Sequence, residues 1–294
     1  MNGTSSQQLL ISVIIPLYNK APYIKRALDS VLMQTVQNFE VIVVNDGSTD
    51  GGDKIVEGYG DARIHLINQE NQGVSAARNH WVNEARAELV EFLDADDEWL
   101  PNFLETVLKL RDKYPDIGMY TTGYKLIEGN KETPCTYLSE KGTRLLESYY
   151  YNRLDAGVHN QFIMMSAVVV DKQTFQGIGG FNPLLSYAED INLYERMAVV
   201  TKIAYTPEIA AKYNYDIPDN TRTHVVFRKP LTSERMETLW NTIQNTIDES
   251  KEYKVHSPHS RRDDFEYLPK KDTSEANAVA LQIVIVQILL VPYH

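Results

Sequence analysis

A chain of 294 residues with 43% hydrophobic content is long enough to bury a large core, as one big domain or two smaller ones. A net charge of −11 argues against a nucleic-acid partner, which calls for a basic face. The single cysteine, Cys135, excludes an intrachain disulfide framework and suits a reducing, cytoplasmic location.

The first half alternates two kinds of pattern. Residues 13–15 read as a buried strand, and Pro22 suits the first turn of a helix, where its missing N–H does no harm. Ile24, Ala27, Leu28, Val31 and Leu32 then recur at helical spacing. A second strand over 41–44 closes on the turn cluster Asn45, Asp46, Gly47 and Ser48. A short helix over 54–59, a strand over 64–67, a helix over 75–86 and a strand over 89–93 follow. Pro101 opens a further helix with Phe103, Leu104, Val107 and Leu108 on one face. This alternation predicts an α/β fold, a mostly parallel central sheet with helices on both faces.

Past residue 115 the pattern loosens. A strand is expected over 118–127, a helix over 144–153 carrying Tyr149, Tyr150 and Tyr151, and a strand over 166–170. The turn-rich "GIGGFNP" precedes a helix over 188–200 that opens on Glu189 and Asp190. A soft boundary separates residues 1–218, the expected catalytic domain, from a polar, partly helical region over 219–294. That region ends in an apolar run over 278–291, shorter than the ~20 residues that span a bilayer. A buried helix or strand is expected there. Peripheral membrane contact is the alternative, because Arg261, Arg262, Lys270 and Lys271 precede the run. The N-terminal stretch has no basic n-region and no small-residue cleavage site, so no signal peptide is expected.

In parallel sheets ligands bind beyond the carboxyl ends of the strands. Tyr18, Asn19, Asp46 and the run Asp94, Asp96, Asp97 all fall there. Like charges ~4 Å apart cost about 1 kcal/mol in water and roughly 4 near a protein surface, so the stretch "LVEFLDADDEWLP" needs either full solvation or a cation. A D-x-D run at a strand end suits Mg²⁺ or Mn²⁺, which favour carboxylate oxygens.

Five segments, "SVIIPLYNKAPYIKRALDSVLMQT", "FEVIVVNDGSTDGG", "NQGVSAARN", "FLDADDEWLP" and "GGFNPLLSYAEDINLYERM", occur in that order with close spacing. The set resembles the inverting family-2 glycosyltransferases over roughly residues 11–215. The resemblance implies the three-layer nucleotide-diphospho-sugar transferase fold and a metal-dependent transfer with inversion. The donor is then a nucleoside diphosphate sugar, UDP-sugar first. The acceptor is a saccharide or lipid-linked saccharide hydroxyl, as in polysaccharide biosynthesis, with the inner face of the membrane as a further expected location.

Carried over residue by residue, Pro16 and Tyr18 resemble the place where the donor base packs. Asp46 resembles the carboxylate that hydrogen-bonds the base, and Arg78 a further base or phosphate contact. Asp94 resembles the residue that reaches the ribose or the metal, and Asp96 the ligand of Mn²⁺ or Mg²⁺. Asp190 resembles the catalytic base, with Glu189 as its neighbour; an aspartate at a helix start also suits capping. Arg222 and His224 are the candidates for a basic or histidine loop touching the diphosphate. A catalytically inactive nucleotide-sugar or saccharide-binding module is the non-enzymatic alternative. A dehydrogenase is excluded by the incomplete glycine motif, since "GIGG" does not complete G-x-G-x-x-G.

Overall fold

Strand β1 (Ile11–Leu17) lies between β2 (Phe39–Asp46) and β4 (Leu89–Phe92), parallel to both, with Val13 opposite Val41 and Glu91. Such a strand is covered on both faces and therefore reads as a continuous apolar run. Pro16 falls beyond the last β1–β4 pair, Ile14 with Phe92, where β1 is leaving that ladder for the loop. The computed structural model describes residues 9–71, 73–136, 142–146, 163–183 and 189–215. All of them fall within one unit, Met1–Asn220.

Among the described residues the sheet has ten strands, in the order β3-β2-β1-β4-β9-β6-β10-β5, with β7 beside β6 and β8 beside β10. The remaining strands are β3 (Ile64–Gln69), β5 (Glu98–Trp99), β6 (Met119–Glu128), β7 (Lys131–Cys135), β8 (Arg144–Leu146), β9 (Val168–Asp171) and β10 (Ile203–Asn214). Strands β1 to β4 are mutually parallel, and β6 is parallel to β10. Strand β9 runs antiparallel between β4 and β6 and joins the two parallel sets.

The helices are α1 (Ala21–Leu32), α2 (Gly52–Glu57), α3 (Val74–Glu84), α4 (Phe103–Lys113), α5 (Lys172–Gly177) and α6 (Glu189–Val200). On one face Val13, Val41 and Val43 pack with Leu28 of α1 and Leu104 and Val107 of α4. On the other, Ile14, Val44 and Phe92 pack with Val82 of α3, Phe175 of α5 and Met197 of α6. Helix, sheet and helix form the expected three layers. Helix α1 carries Pro22 in its first turn, and helix α5 is capped by Asp171, which accepts from Thr174 N at 2.7 Å.

Three local expectations change. Residues 144–146 open not a helix but strand β8, because they pair with the start of β10. The strand expected over 166–170 begins as a 3₁₀ turn, Met165–Ala167. Strands β7 and β10 were not anticipated, and β10 shifts register around Pro207, which hides its pattern. Among the described residues no helix is long and apolar enough to cross a membrane. The tyrosines at 149–151, Arg222, His224 and the run over 278–291 lie outside the described residues.

Candidate active site

The ends of β1 and β2 are tied together by their loops. Asn19, at φ +49°, donates its N–H to Ser48 Oγ at 3.2 Å, and its Oδ1 accepts from Thr49 N at 2.9 Å. Helix α1 has no side-chain cap from its own Ncap residue, Lys20. Instead Asp50 Oδ2, from the loop after β2, accepts from Ala21 N at 2.7 Å. Tyr18 projects from this junction half-exposed.

Asp46 ends β2 and is buried. Trp81 Nε1 donates to Gln69 Oε1 at 2.9 Å, and Gln69 Nε2 donates to Asp46 Oδ1 at 2.8 Å. An indole N–H can only donate, so it sets which end of the Gln69 amide faces Asp46. Gly73 N donates to the other oxygen, Oδ2, at 3.1 Å, from a backbone at φ +85° that suits glycine. The carboxylate is thus fixed in orientation before any ligand arrives.

Each carboxylate of the loop after β4 has its own protein partners. Asp94 is held by Arg78 Nη2, and its N–H donates to Ser166 Oγ at 3.2 Å. Asp96 pairs with Lys20 Nζ at 2.8 Å, and its carbonyl accepts from Arg26 and from Asn214 Nδ2. Asp97 is fully buried; its Oδ2 accepts from Ser166 Oγ at 2.6 Å and its Oδ1 from Asn214 N at 3.1 Å. Burial pushes the Asp97 carboxyl well above the usual carboxylate range, with Asp96 and Asp94 adding to the shift. Burial also raises Asp96, Asp94 adds to that, and Lys20 opposes both.

Arg78 joins this loop to α6. It projects from α3, is only 3% exposed, and reaches Glu189 Oε1 with Nη1 at 3.5 Å as well as Asp94. Its guanidinium lies 5.2 Å from the centre of the Phe181 ring. Burial works to lower its pKa, but Asp94, Glu189 and Asp190 outweigh that and hold it above its ordinary value. Burial raises Glu189, with Arg78 opposing. Asp190 stands in the first turn of α6, where its Oδ1 accepts from Ile191 N at 2.8 Å. Arg196, further along α6, donates through Nη1 to Ile178 O at 3.0 Å and binds Gly180 O, which ties α6 to the turn after α5.

The structure therefore places Tyr18, Asp46, Asp94 and Asp96 at neighbouring strand ends, with Arg78 bridging Asp94 to the first turn that carries Asp190. Pro16 lies just behind Tyr18 in β1. Lys20, Gln69, Trp81, Ser166 and Asn214 were not anticipated. Only Lys20 had a local signal, since it follows Tyr18 and Asn19 directly. Among the described residues no group of three or more His, Cys, Asp or Glu can hold a metal ion unaided. The donor set at the loop is Asp96 with Asp94 beside it. That fits a hard divalent ion whose remaining ligands are substrate phosphate oxygens and water, the usual arrangement for Mg²⁺.

A family model described as glycosyl transferase family 2 matches residues 12–172. The chain is similar to an uncharacterized glycosyltransferase of Rickettsia typhi, at 30% identity over 237 residues, spanning 79% of this chain and 70% of the relative. The chain spans 41% of the length of a Rickettsia felis glycosyltransferase relative and 14% of glycosyltransferase GlyA of Streptococcus pneumoniae. Residues 1–349 of S. aureus TarS, solved in complex with UDP-GlcNAc, match with a TM-score of 0.63 at 20% identity, covering 81% of this chain and 67% of that one. The mannosyltransferase PcManGT from Pyrobaculum calidifontis, solved with GDP-Man and Mn²⁺, matches with a TM-score of 0.56 at 18% identity, covering 96% and 71%. At these identities the likeness of the two structures is one of fold.

Proposed function

The chain belongs to glycosyl transferase family 2, and from that premise we propose that it moves a sugar from a nucleoside diphosphate donor to a saccharide or lipid-linked saccharide hydroxyl, with inversion. The observation that carries this reading is the Arg78 bridge. One guanidinium holds Asp94, at the donor edge, and Glu189, the neighbour of Asp190. A donor-binding rim and a candidate base thus stand on a common support.

Asp46, already fixed by Gln69 and Gly73, accepts a hydrogen bond from the N–H of the donor base, which packs beside Pro16 and Tyr18. Asp94 accepts from a ribose hydroxyl, and Arg78 acts on the donor through the carboxylates it holds. Asp96, with Asp94 beside it, would hold Mn²⁺ or Mg²⁺ with the diphosphate; when bound, the ion acts as a Lewis acid toward the leaving group's developing charge. Asp190 takes the proton of the acceptor hydroxyl while that oxygen forms its bond to the anomeric carbon. The bond from that carbon to the diphosphate oxygen breaks, and its electron pair leaves with the nucleoside diphosphate.

Asp190→Asn tests the reading, because asparagine keeps the shape and caps a helix as well as aspartate does. Transfer from UDP-sugars or GDP-sugars should fall by about two orders of magnitude or more, with donor affinity and melting temperature close to the parent's. Near-parent turnover would remove Asp190 from the mechanism. Donor binding without turnover in the parent itself would identify an inactive binding module.

A further inference from the structure

The loop carboxylates were expected to need either full solvation or a cation, and the chain supplies a cation of its own to Asp96. Lys20 Nζ lies 2.8 Å from Asp96 Oδ2, with less than a fifth of either side chain exposed. This is not a loose surface pair held by two wandering side chains. The residues on both sides of Lys20 are bolted to the loop after β2, Asn19 through Ser48 and Thr49 and Ala21 through Asp50. The backbone that launches the lysine is therefore fixed, and the ammonium is aimed at the carboxylate. On the far side, Arg26 and Asn214 hold the Asp96 main-chain carbonyl, so the backbone that carries the carboxylate is fixed as well.

A divalent ion on Asp96 and the ammonium where it stands are incompatible. On Oδ2 the ion would need the place of the hydrogen bond; on Oδ1 it would sit a few ångströms from a like charge in a partly buried site. Resting on the reading of Asp96 as the metal ligand, we propose that Lys20 is a tethered cation that occupies Asp96 until the divalent ion displaces it. An arriving diphosphate gives the freed ammonium a new anion, since lysine binds phosphate as a point charge. A metal arriving alone offers no such exchange. Lys20 thereby favours the metal that comes with the donor over the free ion.

The test is Mn²⁺ binding followed by loss of the free-ion paramagnetic resonance signal, without nucleotide, on the full chain. Lys20→Met should bind Mn²⁺ at least about fivefold more tightly than the parent. Lys20→Arg, which keeps the cation, should stay near the parent and controls for folding. Adding Asp96→Asn to Lys20→Met should abolish the gain. Lys20→Met that binds Mn²⁺ no more tightly than the parent, or not measurably, overturns the proposal. A parallel titration of UDP and GDP with and without Mn²⁺, on the parent and Asp96→Asn, isolates the underlying reading. If the Mn²⁺ dependence is the same in both proteins, Asp96 is not the ligand and both ideas fall. If it is lost in Asp96→Asn while Lys20→Met changes nothing, only the role of Lys20 falls.

Discussion

Glu91 is a buried carboxyl with no hydrogen-bond partner among the described residues. It sits in the middle of β4. Burial pushes its pKa well above 4.5, Asp94 and Asp97 add to the shift, and Arg78 opposes it. The folded chain therefore keeps this proton after the unfolded chain has released it. The unfolded state binds fewer protons in that window, so stability falls as pH rises from about 4.5 toward the raised folded value, and is intact below it. Glu91→Met removes the titration and leaves an apolar side chain of similar length. Its melting temperature relative to the parent should climb as pH goes from about 4 to about 7, each kcal/mol appearing as roughly 2–4 °C. A difference that stays flat or shrinks over that range would show that Glu91 is not held protonated by the fold.

At the scale of elements, α3 is the part that holds the site together. Its Arg78 reaches the loop after β4 and the start of α6, and its Asn79 pairs with both backbone groups of Phe181, each at 2.7 Å. Gly180 makes that second contact feasible. A Cβ there would come 2.4 Å from Asn79 Oδ1, on a backbone at φ +66°. Arg78→Met leaves two carboxylates without their cation. Removing one partner of a buried pair costs 3–5 kcal/mol, and about 3 is expected here because Asp94 is one-third exposed. Urea denaturation should show that loss at neutral pH. A midpoint within error of the parent's would mean the guanidinium bears none of the connection between α3, the β4 loop and α6. Strand β10 makes a second connection, since its last residue, Asn214, closes on both Asp96 and Asp97.

Over the whole molecule, the donor-side groups among the described residues all lie within the unit Met1–Asn220, while Arg222 and His224, the candidates for a diphosphate loop, follow it in the chain. We propose that residues 221–294, with their basic pairs and apolar run, serve the acceptor side or a membrane surface. A chain ending at Asn220 should keep nucleoside diphosphate affinity within about twofold, ~0.4 kcal/mol, and should still hydrolyse donor slowly. Transfer to acceptor, or retention on anionic lipid vesicles, should be lost. Calorimetric titration with UDP and GDP and a vesicle sedimentation assay separate these outcomes. Loss of nucleotide binding on truncation would mean the donor site extends past residue 220.

The sequence by itself determined the parts of this protein whose signal is local. Strands β1, β2 and β4 are apolar runs because both faces are covered, and Pro22 and the spacing of Ile24, Leu28 and Val31 mark α1. The polar residues at the strand ends were legible for the same reason, since each directly follows its strand. What neutralises them was decided by tertiary structure alone. Lys20 meets Asp96, Arg78 meets Glu189 and Ser166 meets Asp97 across long separations in the chain, and no local period encodes such a pairing. Strand β8 likewise exists because Leu146 pairs with Ile203, and β10 was masked by the register shifts around Pro207. Local chemistry announced where the charges stand, while the long-range packing of α1, α3 and β10 decided which of them are paired, buried or left to meet a ligand.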